Sequence, residues 1–112
     1  MKREIIVYKH YFKEFYLEQD QRTRKKIDYV LNLVRMLDMI PEQYFKHLEG
    51  TSGLYEARVK LASNIFRIIC FFDKGNLVVL LNGFQKKTQK TPKGEIELAE
   101  KLKKQYYEER QK

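Results

Sequence analysis

One stretch decides the fold. It reads Leu54-Tyr55-Glu56-Ala57-Arg58-Val59-Lys60-Leu61, then Ile65-Phe66-Arg67-Ile68-Ile69-Cys70-Phe71-Phe72, then Leu77-Val78-Val79-Leu80-Leu81-Asn82-Gly83-Phe84. The first segment alternates, with Glu56, Arg58 and Lys60 on one face and Tyr55, Ala57, Val59 and Leu61 on the other, as in a half-buried strand. The second is apolar on both faces except for Arg67, the pattern of a central strand covered on both sides. Asp73-Lys74-Gly75-Asn76 supplies a hairpin turn to the third segment, which is apolar on both faces as far as Asn82. Ahead of all three, Glu49-Gly50-Thr51-Ser52-Gly53 has the composition of a turn. The expectation is a three-stranded antiparallel meander.

Upstream, Ile5-Ile6-Val7-Tyr8 is a short β-branched start suited to a strand. Phe12, Phe15 and Tyr16 recur at helical spacing, and Asp20 to Met39 is the most regular periodic segment. Its Ile27, Val30, Leu31, Val34 and Leu37 form one buried stripe. Two helices, one short and one long, are therefore expected as a hairpin, with Pro41 closing the second. Downstream, Gln85 to Thr91 is polar, basic and aperiodic, hence a loop. Thr91 is read as the N-cap of a last helix with Pro92 at its first position, where Glu95 and Glu97 complement the dipole. Ile96, Ala99, Leu102 and Tyr106 give that helix its apolar stripe. The fold class expected is α+β: an N-terminal strand and helical hairpin packed on a small antiparallel sheet, followed by a C-terminal helix, as one domain over residues 1–112.

Composition narrows the function classes. With 43% hydrophobic and 13% aromatic residues the chain is too apolar to be disordered, despite 34% charged residues. Its longest apolar runs, Ile68–Phe72 and Leu77–Leu81, fall far short of a membrane span, and the start of the chain has no secretory apolar region. Cys70 is the lone cysteine and sits in an apolar run, which excludes an internal disulfide and points to the cytosol. The net charge is +8, and its placement matters more than its size. Residues 1–53 carry ten Lys/Arg against eight Asp/Glu, residues 54–93 eight against two, and residues 94–112 five against five. A basic field concentrated on the sheet region attracts a polyanion.

Arg67 is the residue least suited to its surroundings, because a buried unpaired guanidinium is costly. It must reach a carboxylate, with Glu56 the available partner, or open onto a cleft that takes an anion. Arg58 shares a strand face with Glu56 and Lys60, and a neighbouring strand can set it beside Arg67. Lys86, Lys87 and Lys90 follow a buried strand on a loop that a rigid sheet presents. Together these cations would form a concave patch able to hold a phosphodiester and stabilise charge developing on it. His10 and His47 stand apart without companion cysteines, so no metal site is expected, and no nucleotide-binding glycine fingerprint or helix-turn-helix is present. No cofactor is expected.

Three runs carry a family resemblance. They are Phe45-Lys46-His47-Leu48-Glu49-Gly50-Thr51-Ser52-Gly53-Leu54-Tyr55-Glu56-Ala57-Arg58-Val59, Ile65-Phe66-Arg67-Ile68, and Asn82-Gly83-Phe84-Gln85-Lys86-Lys87-Thr88-Gln89-Lys90-Thr91-Pro92. In order and spacing they resemble the HigB-like branch of the RelE/ParE toxin superfamily. The resemblance implies the toxin of a type II toxin–antitoxin system, a ribosome-dependent mRNA endoribonuclease (an mRNA interferase). Such enzymes cleave by 2′-OH attack and need no metal. It implies as partners the ribosome, its mRNA and a cognate antitoxin, usually a helix-turn-helix protein. By position, Arg58, Arg67 and Lys86 or Lys87 become the phosphate-stabilising set, and Lys60, Lys90 and Lys93 hold RNA backbone. Where many relatives place a His or Tyr as acid or base, this chain has Phe84-Gln85, which leaves Glu56 or a lysine of lowered pKa as the candidate base. Two other readings stay open: a ParE-like, non-enzymatic inhibitor of a topoisomerase, and an inactive module that binds RNA or antitoxin.

Overall fold

The computed structural model describes residues 2–110. In chain order the elements are β1 (Glu4–Val7), α1 (Tyr11–Glu18), α2 (Gln21–Met36), β2 (Phe45–His47), β3 (Leu54–Leu61), β4 (Asn64–Asp73), β5 (Leu77–Lys86) and α3 (Lys93–Arg110). The α+β class and the β3–β4–β5 meander follow the sequence reading. The sheet, however, has five strands in the order β1-β5-β4-β3-β2 and is mixed, because β1 runs parallel to β5. The chain from β1 to β5 runs through both helices and the three other strands, a connection long enough for the parallel pairing. β4 is the central strand, which accounts for its apolar residues on both faces.

The two faces are covered unequally. On one, the α1–α2 hairpin packs Phe12, Phe15, Ile27, Val30, Leu31 and Val34 against Phe45, Ala57, Val59, Phe66, Ile68, Cys70, Val78 and Leu80. On the other, α3 lays Ala99, Leu102 and Tyr106 on Leu54, Ile69, Phe71, Val79, Leu81 and Phe84. That second cluster covers only part of its face. The remainder carries Glu56, Arg58, Arg67 and Lys86.

Local chemistry fixes the helix ends. Asp20 caps α2 by accepting from the Thr23 backbone N–H at 2.8 Å. At the other end α2 stops at Met36, well before Pro41. The Arg3 guanidinium donates there to the carbonyls of Val34 and Leu37 at 3.0 and 2.6 Å, satisfying oxygens that the helix leaves unpaired. Thr91 is not the N-cap of α3. The Pro92 carbonyl accepts from the Glu95 and Ile96 N–H groups at 3.1 and 3.3 Å, so Pro92 takes the position before the first helical residue and the Thr91 hydroxyl is free to bond elsewhere. Among the described residues no helix is long and apolar enough to cross a membrane.

Candidate nucleic-acid interface

Register assembles the site. Arg58 on β3 stands directly opposite Arg67 on β4, so both side chains project to the same face. Lys86 reaches that face only because of a bulge. Up to Val79 and Leu81, β5 turns its odd-numbered residues towards α3. The ladder then shifts between Ile69 and Cys70, and Leu81 becomes the extra residue. Beyond it Asn82, Phe84 and Lys86 take the α3 side. Gly83 accordingly turns to the opposite face, where an added Cβ would overlap the Phe15 ring, with two of its carbons at 2.8 Å.

Glu56 holds the cations together. It is 4% exposed, and Arg67 is 6% exposed. One carboxylate oxygen of Glu56 lies 3.5 Å from Arg58 Nε and 3.4 Å from Arg67 Nε. Neither Nε–H makes an aligned hydrogen bond, so the contact is ionic. The other oxygen accepts the Thr91 hydroxyl at 3.1 Å. Arg67 also donates to the Phe66 carbonyl at 3.2 Å, and Arg58 to the Glu42 carbonyl at 3.3 Å. Asn82 ties the start of α3 to β5, its amide donating to the Glu95 carbonyl and carboxylate at 3.1 and 2.9 Å.

Burial lowers the pKa of Arg67, opposed by Glu56 and reinforced by Arg58. Lys86 is also pushed below the ordinary lysine value, first by burial and then by the positive charge of Arg67, with Glu56 opposing and Arg58 adding to the effect. Two guanidinium groups thus share a single carboxylate, and a half-buried ammonium lies within the field of all three. The cluster keeps a surplus of positive charge where solvent is partly excluded, a setting that favours an anion.

The cluster opens onto a cleft of about 830 Å³ whose walls include Glu56, Arg58, Lys86, Lys90 and Thr91. Arg67 stands behind it and reaches a smaller cavity of about 190 Å³ that it shares with Arg58 and Lys60. Lys87 borders a neighbouring hollow with Ser63, Ile65 and Gln85. Lys93 is 90% exposed and faces Glu97 at 3.9 Å; it is not among the residues lining the cleft. Lys46, which the sequence reading left unassigned, lines it and sits across the strand pair from Glu56. Its signal was the short strand β2, too brief to show alternation. His47 borders the cleft as well, with its ring 5.1 Å from that of Tyr55. Tyr106 lies elsewhere, its hydroxyl donating to Asp73 at 2.7 Å.

Comparison with known proteins bears on this geometry. Residues 14–104 match the family described as "Phage derived protein Gp49-like (DUF891)". No curated protein sequence matches the chain. Among solved structures, the chain is similar to one in the crystal structure of the archaeal RelE–RelB complex from Pyrococcus horikoshii OT3. The TM-score is 0.55 at 16% identity, covering 74% of this chain and 93% of that one. At that identity the likeness is one of fold.

Proposed function

Because the chain belongs to the phage-derived Gp49-like family, a RelE/HigB-type toxin family, we propose that it is the toxin of a type II toxin–antitoxin pair and a ribosome-dependent mRNA endoribonuclease. The observation that carries this reading is Arg58 and Lys86 at the wall of an open basic cleft, with Arg67 paired across the strands to Arg58 and set behind that wall. A toxin acting only by binding a topoisomerase has no need of such a phosphate-stabilising set. The sequence runs quoted above support placement in the HigB-like branch, and the RelE–RelB complex supports an antitoxin as partner. The antitoxin would close the cleft.

In this reading Arg58 and Lys86 contact the scissile phosphate from the cleft, while Arg67 adds positive field from behind. Glu56 is a positioning residue: both its oxygens are already engaged, which leaves Lys86 as the base. Its lowered pKa suits that role. The 2′-oxygen attacks phosphorus and gives its proton to Lys86 Nζ in its neutral amine form, the form that burial and the charge of Arg67 favour. The bond from phosphorus to the 5′-oxygen breaks, and that oxygen takes a proton from water. A 2′,3′-cyclic phosphate and a 5′-OH remain, and the arginines stabilise the charge on the non-bridging oxygens between. No step calls on a metal. Lys90 and Lys60 guide backbone on either side of Arg58, with Lys87 and Lys93 as outer contacts.

The test is to induce the chain in bacterial cells and map RNA ends. Growth arrest with new 5′-OH ends inside translated reading frames is the expected result. Arrest without such ends, accompanied by loss of DNA supercoiling control, would replace this reading with the topoisomerase one. No growth arrest at all would leave an inactive module that binds RNA or antitoxin.

A further inference from the structure

A second cavity, of about 380 Å³, lies on the far side of Arg58 and is lined by Lys26, Gln43, Tyr44, Arg58, Lys60 and Ala62. Arg58 lines both this cavity and the main cleft, so it stands between two basic hollows. We propose that this cavity is a nucleotide subsite that takes one base of single-stranded RNA against Tyr44 and its flanking phosphates on Lys26 and Lys60. The inference rests on the ribonuclease reading and extends its substrate contact beyond the scissile phosphate.

Several observations point to an RNA rather than a simple anion. Tyr44 is half-buried and held in place: the Arg58 backbone N–H donates to its carbonyl at 2.7 Å. The ring of Tyr29 meets it edge-on at 6.3 Å and 77°. The wall is therefore aromatic and anchored through its backbone, which lowers the ordering cost of stacking. Lys26 carries its ammonium 4.9 Å over the Tyr29 ring. Among the described residues neither Lys26 nor Lys60 forms an ion pair. An aromatic wall between unpaired cations is the arrangement by which proteins hold single strands, stacking on the bases and neutralising the backbone. Lys26 and Tyr29 lie on α2, on the side of the sheet opposite α3, and Tyr44 lies on the α2–β2 connection.

The experiment is fluorescence anisotropy with the full chain, titrating a short labelled oligouridylate and an abasic strand of equal phosphate number. Wild type is expected to bind the oligouridylate more tightly than the abasic strand. Tyr44→Leu should weaken oligouridylate roughly 5- to 100-fold and erase the difference between the strands, while Tyr44→Phe binds like wild type. Lys26→Ala, on a side chain outside the core, should reduce the salt slope of binding by about one. Equal binding of both strands by wild type, or unchanged binding by Tyr44→Leu and Lys26→Ala, would overturn the subsite. So would displacement of the RNA by polyglutamate at matched charge with no dependence on Tyr44, which would assign the cavity to an acidic protein segment. Ribosomal cleavage is scored separately. A wild type that shows the binding pattern but never cuts mRNA removes the nuclease reading and leaves the subsite standing. A wild type that cuts while both variants bind normally removes the subsite alone.

Discussion

Arg58 and Arg67 are direct cross-strand partners in the β3–β4 ladder, two like charges at a spacing that ordinarily destabilises a sheet. A single oxygen of Glu56, within 3.5 Å of both Nε atoms, makes the pair tolerable. One carboxylate cannot neutralise two guanidinium groups and Lys86 together. The native sheet therefore holds unspent positive charge at the edge of a cleft, as a site for a phosphodiester requires.

Removing that carboxylate should expose the repulsion. Glu56→Gln is expected to lose about 3 kcal/mol of stability, since it strips the counter-charge from a buried arginine. The urea midpoint measures this. Sulfate should restore more of the loss than chloride at equal ionic strength, by occupying the place of the phosphate. A variant as stable as wild type would mean that the arginines find other partners.

Gly83 tests the bulge that brings Lys86 to the site. Gly83→Ala drives a methyl into the Phe15 ring and should cost about 1–3 kcal/mol through overpacking. Adding Phe15→Leu opens room and is expected to recover part of it, so that the two changes are non-additive in a double-mutant cycle. Additive losses would place Gly83 away from Phe15.

Much of this was legible in the sequence, and the gaps have physical causes. The helical stripe of Ile27, Val30, Leu31 and Val34 and the alternation of Leu54–Leu61 read directly, because each buries one face. The misfit of Arg67 inside an apolar strand likewise pointed to Glu56. β2 escaped because three residues show no period, and the parallel pairing of β1 escaped because no local pattern encodes a partner strand. Thr91 followed by Pro92 looks like a cap. It is not one, because a buried Glu56 oxygen in a different element takes its hydroxyl. The bulge at Leu81 was hidden inside an apolar run, where a change of face leaves no mark on composition. The division of the lysines among separate hollows likewise depends on register, which spacing along the chain does not provide.

Lys86 predicts a pH dependence. Its pKa in the folded chain lies below the ordinary 10.5, chiefly through burial, so folding disfavours its protonated form. Its favourable share of stability is present above the unfolded lysine pKa and is lost as pH falls through the folded value. Lys86→Met should thus gain stability over wild type at neutral pH, and the gain should shrink as pH rises towards the unfolded value. Urea midpoints at neutral and alkaline pH check the sign. Cleavage by wild type should rise with pH over an alkaline limb that Lys86→Met lacks.

Cys70 has no solvent exposure, and burial pushes its thiol pKa well up. It should stay unmodified by iodoacetamide in the native chain and react fully in urea. Rapid native labelling would show that the central strand opens.

The proposed role of the cation cluster is to stabilise a phosphate in ribosome-bound mRNA without a metal. Its most direct test is mRNA cleavage on programmed ribosomes, with free chelator present after magnesium has been set to the level the ribosome needs. Wild type is compared with Arg58→Ala, a variant at a partly exposed position (27% for the side chain). Cleavage in the ribosomal A site is expected from wild type, insensitive to the chelator and slower by about 100-fold or more in Arg58→Ala. Equal rates for the two proteins, or cleavage that stops when transition metals are chelated, would contradict it.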